Sequence, residues 1–313
     1  MKFAKLCKKT QSELKNYLSD FMKAHSYKVT SGDGWLFAEP KGEAVPVLLT
    51  AHLDTVHKEP VKTVVYTKGG NVVSSPQGIG GDDRCGVWII NEIVSKTDLR
   101  PYILFCEDEE IGGIGSNKFL VDPKAKLFRR KVSELKFFVE LDRANKDDAV
   151  FYDCDNPEFT EWVIDTTGLI ESWGTFSDIS NLCPELGVAG VNISCGYYKA
   201  HTVQEYVVIS EMKEAAQTTI RLLKAATEKV TPAFEFIEAV YNYKYSGYGY
   251  ATWGSSKTSY SNLSGMWISW FDKEENGERE DYFRGDTTNE CFGEFFRTYP
   301  TVCWNDVTDY EFY

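Results

Sequence analysis

Val45-Pro46-Val47-Leu48-Leu49-Thr50, running on into Ala51-His52-Leu53-Asp54-Thr55-Val56, is the stretch whose reading decides the fold. Its first half is an uncharged apolar run preceded by Pro40 and Gly42. Such a run reads as a strand buried on both faces, as in a parallel sheet covered by helices. At its end the polarity changes abruptly to His52 and, two residues on, Asp54. Ligands of α/β sheets gather outside the carboxyl ends of the strands. A histidine there, with a carboxylate two residues along, has the makings of a metal ligand oriented by an acid behind it. For so short a motif the alternative is a surface turn that happens to hold the same residues, and the rest of the chain decides.

Two more apolar runs repeat the pattern. Residues 101–106 end in Glu107-Asp108-Glu109-Glu110, ahead of Gly112-Gly113. Four adjacent acids usually form a solvated run, but these directly follow a buried strand. Residues 135–141 end in Asp142. Between the first two strands, Gly78-Ile79-Gly80-Gly81-Asp82-Asp83-Arg84-Cys85-Gly86 opens a buried helix marked by Val87, Trp88, Ile90, Ile93 and Val94. The glycines permit unusual backbone and close approach. A phosphate-cradling loop would need Lys-Ser/Thr where the two aspartates stand, and their charge would repel phosphate. A strand at 149–152, a helix around 157–166, a loop at 174–178 and an apolar strand at 187–194 follow. Beyond Cys195-Gly196-Tyr197-Tyr198 the chain reaches Ala200-His201-Thr202, and a packed helix (Met212, Ala215, Ala216, Thr219, Leu222, Leu223, Ala226) closes near Pro232. Upstream, Thr10-Gln11-Ser12-Glu13 is a capping-box pattern that starts an amphipathic helix through Leu14, Leu18, Phe21 and Met22. Residues 61–66 and 71–74 flank Lys68-Gly69-Gly70 as a hairpin.

Composition sets the outer bounds. With 313 residues, 42% hydrophobic and 26% charged, the chain is ordinary globular material. Its net charge of −13 argues against nucleic acid or an anionic membrane as partner. No run approaches a membrane span, and Met1-Lys2-Phe3-Ala4-Lys5 is not followed by a signal-peptide core. The eight cysteines lie without CxxC pairs, which suits buried thiols in a reducing cytosol and predicts a cytoplasmic location. Of the four histidines, His25 reads as a helix-end cap or surface group, and His57, beside Lys58 and Glu59, as exposed. His52 and His201 remain.

His52, Glu109/Glu110, Asp142 and His201 thus stand at strand ends, with Asp82 at a glycine-rich joint. Two imidazoles with carboxylates form the nitrogen/oxygen set that borderline metals such as zinc accept. They can hold two cations if one carboxylate bridges, such pairs lying roughly 3.5–4 Å apart around a shared hydroxide. One of the adjacent glutamates can bind metal while the other stays free as the base.

The pieces Ala-His52-Leu-Asp54-Thr, Gly-Asp82-Asp83-Arg-Cys-Gly, Asp-Glu109-Glu110-Ile-Gly-Gly, Glu-Leu-Asp142 and Ala-His201-Thr resemble the co-catalytic zinc exopeptidases, which include peptidase T, leucyl aminopeptidases and related amidohydrolases. The resemblance covers about residues 10–230 in order. It implies two divalent metal ions, as Zn2+, with His52, Asp82 and Asp142 on one, and Asp82, Glu110 and His201 on the other, Asp82 bridging. Glu109 would be general base and then acid, Asp54 would orient His52, and the Asp82–Asp83 peptide would be cis. Relatives with a separate lid or dimerisation domain insert it between the first histidine and the bridging aspartate, or between the later aspartate and the last histidine, whereas the lid-less aminopeptidases have none. Here both intervals are too short for one. The expectation is therefore a three-layer α/β/α domain with a mixed, mostly parallel central sheet and no inserted lid. Aspartate rather than glutamate at 142 is, in that family, the commoner choice of aminopeptidases. Asp178, in a loop that also looks like the group's, is a candidate for substrate contact. Tyr197 or Tyr198, just before His201, could help bind a carbonyl oxygen, although packing is the commoner role for such tyrosines.

Residues 1–232 are read as the catalytic domain and 233–313 as an aromatic-rich accessory segment. Tyr241, Tyr243, Tyr245, Tyr248 and Tyr250 crowd its start, and Asn276-Gly277 between 267–271 and 282–283 predicts a hairpin. The functional expectation is an aminopeptidase acting on short peptides through a metal-bridged hydroxide. Two alternatives stay open: a deacylase of N-acyl amino acids with the same metal pair, and a metal-stabilised protein whose aromatic segment binds a polymer. The sequence names no oligomeric state.

Overall fold

The computed structural model describes residues 2–58, 60–67, 69–152, 156–237, 265–272, 277–284, 292, 295 and 307–312. The chain divides into two compact units, Met1–Ala239 and Val240–Tyr313. The first unit opens with α1 (Phe3–Cys7), α2 (Gln11–Ala24), β1 (Tyr27–Gly32), β2 (Trp35–Pro40) and β3 (Val45–His52). It continues through β4 (Val65–Tyr66), β5 (Val72–Ser74), α3 (Gly81–Lys96), β6 (Pro101–Cys106), α4 (Ile114–Val121), α5 (Lys126–Val132) and β7 (Phe137–Arg143). It closes with β8 (Asp148–Val150), α6 (Pro157–Thr167), β9 (Ile170–Ser172), α7 (Asp178–Leu186), β10 (Gly190–Ser194), β11 (Tyr197–Tyr198), β12 (Tyr206–Val208) and α8 (Ile209–Thr227).

Eight strands form the central sheet in the order β1-β2-β6-β3-β7-β10-β8-β9. The run β6, β3, β7, β10 is parallel, while β1 and β2 extend it antiparallel at one edge. Alternating side chains divide between two cores, as the two-residue period of a strand requires. Val47, Leu49 and Ala51 of β3, with Ile103 and Phe105 of β6, face the core built with α1, α2, α3, α6 and α8. Leu48, Leu104 and Cys106 face the opposite core, with Phe119 of α4, Val132 of α5 and Ile179 and Leu182 of α7. The result is three layers, α/β/α, with a mixed and mostly parallel sheet, as the apolar runs predict.

The capping box at Thr10 forms as read: Thr10 Oγ1 accepts the Glu13 N–H (3.3 Å) and Glu13 Oε2 accepts the Thr10 N–H (2.9 Å). β4 and β5 pair as the expected hairpin and join β12 and β11 in a small antiparallel sheet. The five described free cysteines are buried. No helix among the described residues is long and apolar enough to cross a membrane.

Three helices escape the periodicity reading. In α4, Ile114, Phe119, Leu120 and Val121 do not keep to one side. The short α5 is mostly basic. α7 begins at Asp178, where a loop is expected, and carries Pro184, which reads as a breaker.

The packed chain of the first unit also runs past Pro232. Phe234 is buried, its ring 5.1 Å from Phe159, 5.4 Å from Trp162 and 6.4 Å from Phe137. Its backbone donates to Lys136 O and accepts from Ala189 N.

In the second unit, β13 (Gly265–Asp272), β14 (Gly277–Arg284) and β15 (Val307–Phe312) form an antiparallel sheet in the order β14-β13-β15. β13 pairs with β14 from Gly265↔Arg284 to Asp272↔Gly277, the hairpin that the Asn276-Gly277 dipeptide predicts. Asn276 and the tyrosine-rich stretch 241–250 lie outside the described residues.

Replacing Phe234 by alanine should lower the unfolding free energy by about 3–5 kcal/mol, the usual cost of emptying a buried phenylalanine site. Urea denaturation of the full chain measures it.

Candidate metal centre

The sheet delivers the candidate ligands one strand at a time. His52 is the last residue of β3 and lies opposite Cys106 in the parallel register of β3 and β6. That pairing brings Glu109 and Glu110, just beyond β6, alongside it. Asp142 is the penultimate residue of β7, two strands from β6 across β3. Asp82 lies in the first turn of α3, where the backbone of Asp82 and Asp83 is non-helical and the peptide between them is cis. His201 follows β11 with φ at 62°, a left-handed conformation that non-glycine residues adopt mainly where the surroundings impose it.

All five side chains converge. Asp82 Oδ1 lies 2.9 Å from His52 Nε2, and Asp82 Oδ2 lies 3.2 Å from His201 Nε2. Asp142 Oδ1 approaches His52 Nε2 to 3.2 Å, and Glu110 Oε2 approaches His201 Nε2 to 3.0 Å. One ligating atom each of His52, Glu109 and Asp142 lie within 4.8 Å of one another, as do one each of His52, Asp82 and Glu110. His52 is fully buried, whereas the His201 side chain is 37% exposed, so the cluster opens to solvent on the His201 side.

This donor set fits divalent cations. Each Nε2 faces two carboxylate oxygens, and a ring nitrogen carries one proton at most. Glu110 Oε1 is buried without a hydrogen-bond partner, and the buried Asp142 Oδ1 has the crowded His52 ring nitrogen beside it. Burial, then the charge of Asp82, pushes Asp142 up to about 7, and burial followed by Asp82 raises Glu110. Burial also raises Glu109 well above the carboxylate range, against the pull of His52 and with the push of Asp142, Asp178 and Glu110. Burial alone would lower His52, but Asp142, and the hydrogen bonds of Asp142, Asp54 and Asp82, hold it well above its ordinary value. Asp82 and Glu110 raise His201 to about 11. Crowded carboxylates of this kind call for positive charge, which divalent ions bound through nitrogen and oxygen supply.

The supports behind the ligands are largely tertiary. Asp54 Oδ1 lies 3.1 Å from His52 Nδ1 and accepts the Glu109 N–H (3.0 Å), while its Oδ2 accepts the Glu110 N–H (3.0 Å). One carboxylate thus orients the imidazole and ties the end of β3 to the segment after β6. Burial would raise Asp54, but His52 and these two N–H groups hold it below its usual value. Asp142 accepts from Ser177 Oγ (3.2 Å) at Oδ2, and its N–H donates to Asn192 Oδ1 (2.9 Å). Glu140 accepts the N–H groups of Asp178 and Ile179, pinning the start of α7 beneath the centre. Of these supports, Asp54 is legible in the sequence through its spacing from His52, and Asn192 and Glu140 stand out as lone polar side chains inside apolar runs.

Four expectations about individual side chains need correction. Asp178 is fully buried in the first turn of α7 and is therefore not a surface for substrate. Tyr197 is buried too, and its hydroxyl donates to the backbone oxygen of Asp142 (2.8 Å). The Tyr198 hydroxyl donates to Glu211 (2.5 Å) and its ring stacks on Tyr206. His57 is not exposed: its side chain is 9% accessible, with Nε2 2.9 Å from the buried Glu205.

No protein-family model and no curated protein matches the chain in sequence. Solved structures share its fold. Aminopeptidase PepT from Bacillus cereus aligns with a TM-score of 0.54 at 13% identity, over 72% of this chain and 97% of that one. A tripeptidase from Staphylococcus aureus gives 0.54 at 14% identity, over 72% and 96%. An aminopeptidase from the archaeon Desulfurococcus kamchatkensis gives 0.52 at 14%, over 73% and 97%. At these identities the likeness is one of fold.

Zinc added to metal-free protein at a hundred times its dissociation constant should stabilise the fold by about 2.7 kcal/mol per site. Asp82→Ala, which removes the carboxylate touching both imidazoles, should abolish that gain. Thermal melts with and without zinc read both.

Proposed function

We propose that this chain is a metallopeptidase of the cytoplasm that removes amino-terminal residues from short peptides, using two zinc ions. The observation that carries the proposal is the Asp82 carboxylate, with one oxygen toward His52 and the other toward His201. That is the disposition expected of a group shared by two cations. The aminopeptidases and tripeptidase of the same fold support the reaction class.

His52, Asp82 and Asp142 would hold one ion, and Asp82, Glu110 and His201 the other. When bound, such a pair polarises an amide carbonyl and lowers the pKa of water. The chain's own residues do the rest. Asp54 fixes the rotation of the His52 ring, so that Nε2 points into the cluster and Nδ1 away from it. Among the described residues neither imidazole takes Glu109 as an ion-pair partner, which leaves its carboxylate for proton work. Glu109 takes the proton of the attacking water and passes it to the nitrogen of the departing amine. Its buried surroundings favour the protonated form through which it must pass. Substrate reaches the cluster from the open His201 side.

Glu109→Gln should retain both cations by elemental analysis, yet hydrolyse peptides about 10²–10⁴-fold more slowly. Unchanged turnover removes Glu109 from the mechanism. A panel of aminoacyl amides and N-acyl amino acids tests the substrate: the proposal expects cleavage only where the amine is free, and cleavage of the acylated set alone replaces it with a deacylase.

A further inference from the structure

Glu205 has no part in the ligand set, yet it is fully buried four residues beyond His201. Its N–H donates to Thr202 O (3.1 Å), folding the His201 loop back on itself. Its carboxylate reaches across to the loop that carries Asp82. Oε1 accepts the N–H of Asp82 (2.9 Å), and Oε2 accepts the N–H of Gly80 (2.8 Å) and lies 2.9 Å from His57 Nε2. A buried carboxylate is costly unless fully paired, and this one is paired at both oxygens by groups of the metal-bearing loops.

The glycines of 78–81 make room for the clamp. A Cβ on Gly78 would fall within 2.1 Å of the His57 ring, and one on Gly81 within 2.7 Å of Tyr197 and 2.8 Å of Val207. The His52 side has a separate brace: Asp83 Oδ2 accepts the N–H of His52 (3.1 Å), and Oδ1 that of Gly86 (2.8 Å). Asp82 is therefore tied to β3 through its neighbour and to the His201 loop through Glu205.

The geometry points to Glu205 as a positioning residue that sets the separation of Asp82 and His201, and so the affinity for the cation those two share, with His57 as its outer support. The inference rests on the two-cation reading. Titrating metal-free full-length protein with zinc by calorimetry tests it, with circular dichroism confirming the fold and His201→Ala identifying the step that belongs to the His201 side. Glu205→Gln should weaken that step by about 10–100-fold, the usual effect of removing a partner behind a ligand, and leave the other step at its wild-type value. His57→Gln should weaken the same step by less. Equal weakening of both steps, or of neither, overturns the inference and makes Glu205 a packing group. If Glu205→Gln does not fold, an unshifted His57→Gln overturns it instead. Fewer than two ions bound by the wild type overturns the two-cation reading itself, whatever the variants do.

Discussion

One carboxylate, Asp82, stands between two imidazoles at 2.9 and 3.2 Å, and Asp142 and Glu110 approach the same two rings at 3.2 and 3.0 Å. Removing that much like charge from water is unfavourable unless positive charge shares the space. Histidine protons offset part of it, and the raised Asp142, Glu109 and Glu110 show how much is left over. A pair of divalent ions answers the same electrostatic demand with fixed geometry. Most of what surrounds the cluster follows from holding these charges in register.

The fold meets that requirement with backbone amides, beside the buried guanidinium of Arg84, which acts on Asp83, Asp54 and Glu205. Asp54 collects the N–H groups of Glu109 and Glu110, Asp83 those of His52 and Gly86, and Glu205 those of Gly80 and Asp82. Each is a carboxylate on one segment gripping the main chain of another. Such contacts satisfy a buried anion without introducing a mobile side chain. They also make the ligand positions depend on the parallel register of β6, β3 and β7, which sets where each strand stops.

The Glu109-Glu110 pair illustrates how neighbouring residues take different surroundings. Glu110 meets His201, whereas Glu109 groups with His52 and Asp142 without an ion pair to either ring. Both lie beyond the end of β6, where the two oxygens of Asp54 hold their N–H groups. On the proposed function, a single run of acids holds a ligand and a proton carrier together.

Much of the framework was legible in the residue order. Uncharged runs at β3, β6 and β7 can be buried only inside a covered sheet, and the polar residues at their ends must then lie at its carboxyl edge. That reasoning reaches His52, Glu109, Glu110 and Asp142, which follow apolar runs, while Asp82 stands out at a glycine-rich joint and His201 beyond the last apolar strand. It does not reach α4, α5 or α7, where no one-sided stripe, or an internal proline, hides the helix. Nor does it reach the burial of Asp178, the pairing of His57 with Glu205 or the grip of Glu205 on the Asp82 loop. Those depend on contacts between segments far apart in the chain, such as Asp178 with Glu140 and Glu205 with Gly80. Local chemistry determined which side chains gather at the sheet's edge. Only the three-dimensional packing, by bringing distant loops within hydrogen-bonding distance, decided how they are held apart.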